Sequence, residues 1–346
     1  MNAEVHSALD AGLLTAWRDL AEVAGSSPFA GPDWHLARHE TYGPRGVRYL
    51  VARDGGSLLG IWPLEFGGIA VHPAGNWLAD YLSPLLAPGR AGEVLESFAA
   101  WFRRSGVMIL DLPRLDAAYP SLVQALSRSG YRLRTLPGEV CPALDLSGGV
   151  AGVEGRLPSG LRKRWRYDAR RLAREAPVEV DFVPPLEVPE AMATLMAWHT
   201  ARFRSRGTPG SFFGRRRAFH ERVAARHAAA GLLRLSRLRL GGRTIALLYA
   251  LRGGERCYYY AAGFDPDMAR FSPGRVLLGE TIRLAAAEGV GTFDFLRGDE
   301  EYKRAWASER RRLQRIVAAS PGRYGYLTFA AVEHRAEMAL RSRFGS

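Results

Sequence analysis

The densest run of chemically capable residues is Arg297-Gly298-Asp299-Glu300-Glu301-Tyr302-Lys303, followed by Trp306. Asp299 or Glu300 could take a proton from an acceptor, and Tyr302 could return one to a leaving group. Gly298 permits a sharp exit from a sheet edge, and side chains just beyond the carboxyl end of a parallel strand sit where ligands gather. The same residues also suit the first turn of a helix, where Asp-Glu-Glu favours the dipole and Lys303-Arg304 continues a solvated face.

A second run, Ser272-Pro273-Gly274-Arg275, reads as a helix start: serine at the N-cap, proline at the first helical position. Gly274 lets another group approach the backbone closely, and free N–H groups at the positive dipole end suit a diphosphate. Arg275 and Arg270 would add charge; plain capping needs only the serine and proline. Along 161–174, seven basic residues face one acid, Asp168, and Arg162, Arg166 and Arg170 share a face. That helix could steer an acidic ligand or tRNA, or it could be merely solvated. Trp198 and Arg202 stand at i,i+4 on another predicted helix, as a stacking wall for a substrate or as core with a surface arginine.

Metal and covalent chemistry find little support. The eight histidines lack ligand spacing, and neither His35/His39 nor His220/His227 comes with the carboxylate of a zinc-peptidase pattern. No metal is expected. Cys141 and Cys257 lie in strand-like segments as packed thiols, and two cysteines make no disulfide framework.

The elements that must position these residues occur twice. Gly106-Val107-Met108-Ile109-Leu110-Asp111-Leu112-Pro113-Arg114-Leu115-Asp116 lies without gaps over Gly289-Val290-Gly291-Thr292-Phe293-Asp294-Phe295-Leu296-Arg297-Gly298-Asp299. Tyr119 falls on Tyr302, Pro88-Gly89-Arg90 on Pro273-Gly274-Arg275, and Gly55-Gly56 on Gly241-Gly242. Hairpins are predicted at 47–53 with 57–64 and at 233–240 with 243–251, and a further strand at 256–262. A helix follows from 273, ending before Gly289, and short buried strands at 107–112 and 292–296 close each copy. Helices are predicted at 161–175, 190–205 and 212–230. The layout is mixed α/β, with copies at 1–146 and 147–346. Glu300, Lys303 and Trp306 have no counterpart in the first copy, where Ala117, Pro120 and Val123 stand; one working site would leave that asymmetry.

Hairpin, long strand, anion-ready helix start, helix and strand together resemble the acyl-CoA-binding half of the GNAT acetyltransferases. Phe271-Ser272-Pro273-Gly274, then 293–300, Tyr302-Lys303 and Trp306 are similar to the CelD-like branch, whose relatives include the Fem peptidoglycan transferases. The resemblance extends through Ser27-Pro28-Phe29 with Trp34, Asp80-Tyr81, Leu161-Arg162-Lys163 and Gly263-Phe264-Asp265-Pro266, nearly the whole chain.

It implies a tandem duplicated GNAT fold, mixed sheets flanked by helices, with acetyl-CoA or another acyl-CoA as co-substrate. The acyl group would pass directly to an amine of a small molecule or sugar. Asp299, Glu300 and Tyr302 would be catalytic. Ser272, Pro273, Gly274, Arg275 and Phe295 would hold the cofactor, and Asp80, Tyr81, Lys163, Trp198, Arg202, Lys303 and Trp306 the substrate. Neither copy carries the Gln/Arg-x-x-Gly-x-Gly/Ala loop of ordinary GNAT enzymes. An aminoacyl-tRNA donor, as in Fem relatives, and a non-catalytic binding module in polysaccharide or envelope assembly are the alternatives.

The chain has 346 residues and a formal net charge of +13, but only Lys163 and Lys303 among its 48 basic residues are lysines. Such arginine excess fits a coding bias as well as a polyanion partner. Hydrophobic residues make up 47%, enough for a sizeable core, and the length suits two units. No apolar run reaches the roughly 18 residues of a membrane span, and no secretory signal is visible, so a cytoplasmic protein is expected. Oligomeric state does not follow from the residues.

Overall fold

The computed structural model describes residues 1–116, 120–205, 207–208 and 210–344, with side chains through 338. Tyr119 and Ala117 of the repeat therefore lie outside the described residues. The chain forms β1 (Asn2–His6), α1 (Ala11–Val23), α2 (Pro32–Tyr42), β2 (Val47–Asp54), β3 (Ser57–Glu65), β4 (His72–Pro73) and β5 (Leu85–Leu86). Then come α3 (Ala91–Arg104), β6 (Ile109–Leu115), α4 (Pro120–Arg128), β7 (Arg132–Asp145), α5 (Gly149–Arg156), α6 (Ser159–Ala173) and β8 (Val178–Phe182). The rest is α7 (Val188–Arg204), α8 (Arg215–Ala229), β9 (Leu233–Leu240), β10 (Arg243–Gly253), β11 (Arg256–Phe264), α9 (Pro273–Ala287), β12 (Thr292–Asp294), α10 (Glu301–Trp306), β13 (Glu309–Ala319) and α11 (Gly325–Phe344).

Two compact units result. The first comprises Met1–His35, Gly43–Val140 and Arg311–Ser346; the second Leu36–Tyr42 and Cys141–Arg310. The sequence copies, 1–146 and 147–346, differ from these units because each copy gives its last strand away. In the first unit β6 pairs antiparallel with β13, Asp111 opposite Val317. In the second, β12 pairs antiparallel with the end of β7, Phe293 opposite Leu144.

The first unit holds a β1-β2-β3-β4 sheet with β5 on β3. Its larger core includes Trp62, Phe98, Phe102, Leu110 and, from the exchanged strand, Ile316 and Ala318. In the second unit the order β12-β11-β10-β9-β8 runs from a parallel β11–β12 pair into antiparallel neighbours. Its core takes Leu277, Ile282, Phe293, Phe295, Trp165 and Trp306. These are the inward positions of amphipathic helices and short buried strands, burying apolar area on one contiguous face.

The duplication persists in backbone detail. Gly55-Gly56 and Gly241-Gly242 turn their hairpins with φ of 55° and 87° and of 55° and 81°. Both copies carry a buried aspartate at the repeat position, Asp111 and Asp294. The copies part at the helix start. Pro273 begins α9, whereas Pro88-Gly89-Arg90 precedes α3 and Arg90 bonds Asp54 and Glu93. The predicted strand at 292–296 ends at Asp294, because the Asp294 carboxylate accepts the Leu296 N–H at 2.8 Å and Leu296 turns to φ 59°.

Candidate active site

The site begins where β11 and β12 part. They pair for three residues only, Arg256 with Thr292, Cys257 with Phe293 and Tyr258 with Asp294. β11 then continues to Phe264, paired with β10 alone. Beyond Tyr258, one edge of β11 lacks a strand partner among the described residues, and its peptide groups on that edge face the opening. The Phe295 N–H is taken by the Pro142 carbonyl of β7, at 3.0 Å, so the opposite wall turns its donors away. Phe295 itself is buried, edge-on to both Phe293 and Tyr259. It forms the floor of the opening through packing.

At the carboxyl end of β12, Gly298 has φ 118° and the Glu300 carboxylate folds back over it. A methyl group on Gly298 would stand 2.2 Å from a Glu300 oxygen, so only glycine leaves that carboxylate its place. Lys303 is 6% exposed. Its ammonium donates to the Arg297 carbonyl at 2.6 Å and lies 3.0 Å from Glu300. A buried ammonium needs that pairing, and the pairing in turn fixes Glu300. Asp299 points elsewhere, to Arg310 at 2.6 Å and Arg304 at 3.5 Å.

Tyr302 is 42% exposed, and its ring lies against Tyr259 of β11. The rings cross nearly perpendicular, 6.5 Å apart. Desolvation first, then the neighbouring Tyr259 and the Glu300 charge, push Tyr302 far above the ordinary tyrosine range. Tyr259 is raised as well, chiefly by burial. Each phenol thus stays protonated, a donor rather than a base.

The other end is built on Phe264. Gly274 places its Cα beside that ring, with room for ordinary contact only. The Arg202 guanidinium lies 5.7 Å over the same ring, and it lowers the phenols of Tyr259 and Tyr302 through its charge. Among the described residues Arg202 has no carboxylate partner. Ser272 is left-handed, at φ 55° and ψ 45°, and its side chain does not cap α9. The expected serine cap is thus absent, and the start of α9 at Ser272 and Gly274 and the Arg202 guanidinium both border the Phe264 ring at the end of β11.

α7 carries Arg202 to that ring by resting on bare backbone. A Cβ on Gly263 would meet the Leu195 carbonyl at 2.8 Å and Trp198 at 3.1 Å, so Trp198 serves the contact between α7 and β11. One turn on, the His199 Nε2 accepts from the Ser211 N–H at 3.3 Å, leaving Nδ1–H to donate to the Ala262 carbonyl at 3.4 Å. Burial lowers His199 to about 4 and His220, wholly enclosed on α8, to about 3.

The structure therefore gathers Ser272, Pro273, Gly274, Arg202, Glu300, Tyr302 and Lys303 in one unit. It directs several expected residues elsewhere. Arg275 is bound to buried Asp168 of α6. Trp306, 3% exposed, lies 5.8 Å from Trp165 in the core, so its indole is closed to a ligand. Lys163 is exposed on α6. Asp80 and Tyr81 belong to the first unit, where Tyr81 is buried between Phe29 and Arg311. Tyr259 was not singled out by sequence: its signal was three successive tyrosines, and only the sheet decides which one faces the opening. Among the described residues no cluster of metal-binding side chains occurs.

Residues 159–304 match the family described as acetyltransferase (GNAT) domain. The fold is a GNAT fold. No curated protein sequence matches the chain. The chain is similar in structure to FemX, with TM-score 0.67 and 10% identity, over 91% of this chain and 97% of that one. A conserved protein of unknown function from Bacteroides thetaiotaomicron gives 0.61 at 12% identity, over 91% and 99%. L-PGS from Bacillus licheniformis gives 0.55 at 13%, over 88% and 96%. At such identities the likeness carries the GNAT fold alone. No helix among the described residues is long and apolar enough to cross a membrane.

Proposed function

We propose that the chain is a GNAT-type N-acyltransferase that moves an acyl group, acetyl in the simplest case, from coenzyme A to an amine of a small molecule or sugar. The observation that carries the reading is the parted β11–β12 pair with the start of α9 and Arg202 at one end and the Glu300–Lys303 and Tyr302–Tyr259 pairs at the other. Ser272, Gly274 and Arg202 hold the donor's phosphates. The thioester carbonyl enters the opening, where N–H groups of β11 beyond Tyr258 stabilise its developing oxyanion. Glu300, held by Lys303, takes the proton of the incoming ammonium, and the amine attacks directly. As the tetrahedral intermediate collapses, Tyr302 gives its proton to the departing thiolate.

Glu300→Gln keeps the shape and the Lys303 contact but cannot accept a proton. It should lower kcat at least ~100-fold with little change in KM. A near-wild-type rate removes Glu300 from the role. Acetyl-CoA and longer acyl-CoAs should raise the unfolding temperature, and increasingly so with ligand concentration, whatever the acceptor.

A second reading, with aminoacyl-tRNA as donor, is favoured by one observation. Lys163, Tyr167, Arg170 and Arg174 form an exposed stripe at i, i+4, i+7 and i+11 along α6 and its cap. By contrast Arg162 and Arg166 are held by Glu154. Charged tRNA would bind with an affinity falling steeply with salt, whereas a single coenzyme would respond mildly. Failure of acyl-CoA to stabilise the chain, together with salt-sensitive tRNA binding, selects this second reading. Failure of both leaves a non-catalytic module.

A further inference from the structure

The first unit contains its own parted strand pair. Val71 and Leu110 make a single parallel bridge, with Val71 N–H to the Ile109 carbonyl at 2.9 Å and Asp111 N–H to the Val71 carbonyl at 3.0 Å. After that bridge β4 turns to β3 and β6 runs beside β13. A cavity of about 390 Å³ opens between the diverging segments, with α11 along it. That volume falls within the roughly 300–1,000 Å³ of small-molecule sites.

Its lining differs in chemistry from the second unit's opening. Four carboxylates line it: Asp111, Glu139, Glu333 and Glu337. The two guanidiniums are engaged within the chain. Arg315 bonds Asp111 through two contacts at 2.7 and 2.6 Å and Glu333 at 2.8 Å. Arg114, left-handed at φ 57°, donates to the carbonyls of Asn76 and Ala79. Arg114 also lies 3.9 Å from Glu139, and with four carboxylates against two guanidiniums the lining stays acidic. Independently, His334 lines the cavity at 8% exposure with an Nε2 that has no hydrogen-bond partner among the described residues. A buried ring nitrogen left without a partner calls for a polar group from outside the chain, and in the tautomer with the proton on Nδ1 it accepts an N–H. An acyl-coenzyme diphosphate has the wrong sign for this site.

We propose that this cavity binds a small molecule bearing a protonated amine, whose N–H groups reach His334 Nε2 and the Glu333 and Glu337 carboxylates. The site is separate from the transfer chemistry and does not depend on it. Calorimetric titration of the full chain with D-glucosamine, L-lysine and putrescine tests it, with N-acetyl-D-glucosamine as the neutral control. At least one amine should bind, and the acetylated sugar should bind at least tenfold more weakly. Glu337→Gln, which leaves the Arg315–Glu333 contact in place, and His334→Phe should each weaken the amine at least tenfold without altering acyl-CoA binding. The proposal is overturned if no amine binds at millimolar concentration, if the acetylated sugar binds equally well, or if both variants bind as the parent does.

Discussion

Lys303 settles which carboxylate faces the opening. Two acids stand side by side at 299 and 300, and arginines of the surface take Asp299 while the buried ammonium takes Glu300. A compact ammonium suits this because it reaches a carbonyl and a carboxylate from one point, where a planar guanidinium would need a wider pocket. Tyr302 has a similar logic: its ring is partly in water, but it packs edge-on to Tyr259, and desolvation holds its phenol protonated. If it protonates the leaving thiolate, Tyr302→Phe should lower kcat by about 100-fold while KM for the donor stays within about twofold. Tyr259→Phe, which keeps the ring contact and removes only the neighbouring hydroxyl, should cost clearly less. Steady-state kinetics on the two variants separates the roles.

At the level of elements, the join of α7 and α8 with β11 supports the site. It is packed by His199 and His220 with Phe212 and Tyr260. Both imidazoles are neutral in the folded chain, at about 4 and about 3, whereas an unfolded histidine titrates near 6.5. Between those values the unfolded state binds more protons, so stability rises with pH there. The contribution is complete above about pH 6.5 and is lost as pH falls through the window, by up to about 1.4 kcal/mol per histidine per pH unit. Urea midpoints measured from pH 7.5 down to 4.5 should fall accordingly, and a His220→Phe variant should flatten the slope. Gly263 carries the same join sterically. Gly263→Val would drive a side chain into the Leu195 carbonyl. It should cost about 1–3 kcal/mol by denaturant unfolding and weaken donor binding by moving Arg202.

For the whole molecule, the exchange of final strands ties the halves together. The first unit needs β13 to cover β6, and the second needs the end of β7 to cover β12. Residues 1–146 alone would leave the β13-facing edge of β6 unpaired, a template for aggregation. Either half expressed singly should be insoluble or unfolded by circular dichroism, while the two co-expressed should form one soluble, cooperatively melting species. A half that folds by itself with a normal melting curve would contradict the exchange.

Periodicity and turn chemistry are local, so much of this was open to reading along the chain. The Gly-Gly hairpins, the helix opening at Pro273, the duplication and the acidic run after β12 all follow from spacing and residue type. Partners distant in sequence are another matter. Nothing local in Trp306 distinguishes a ligand wall from the core contact it makes with Trp165, nor does anything near Arg275 announce Asp168, 107 positions away. Residue types in one run made 299–303 a candidate for proton transfer. Only long-range packing decided that Glu300 turns to Lys303, that Tyr259 meets Tyr302, and that each copy closes its sheet with a strand from the other. Those outcomes depend on which buried charge finds a partner and which strand edge is covered, and both are set by tertiary contacts.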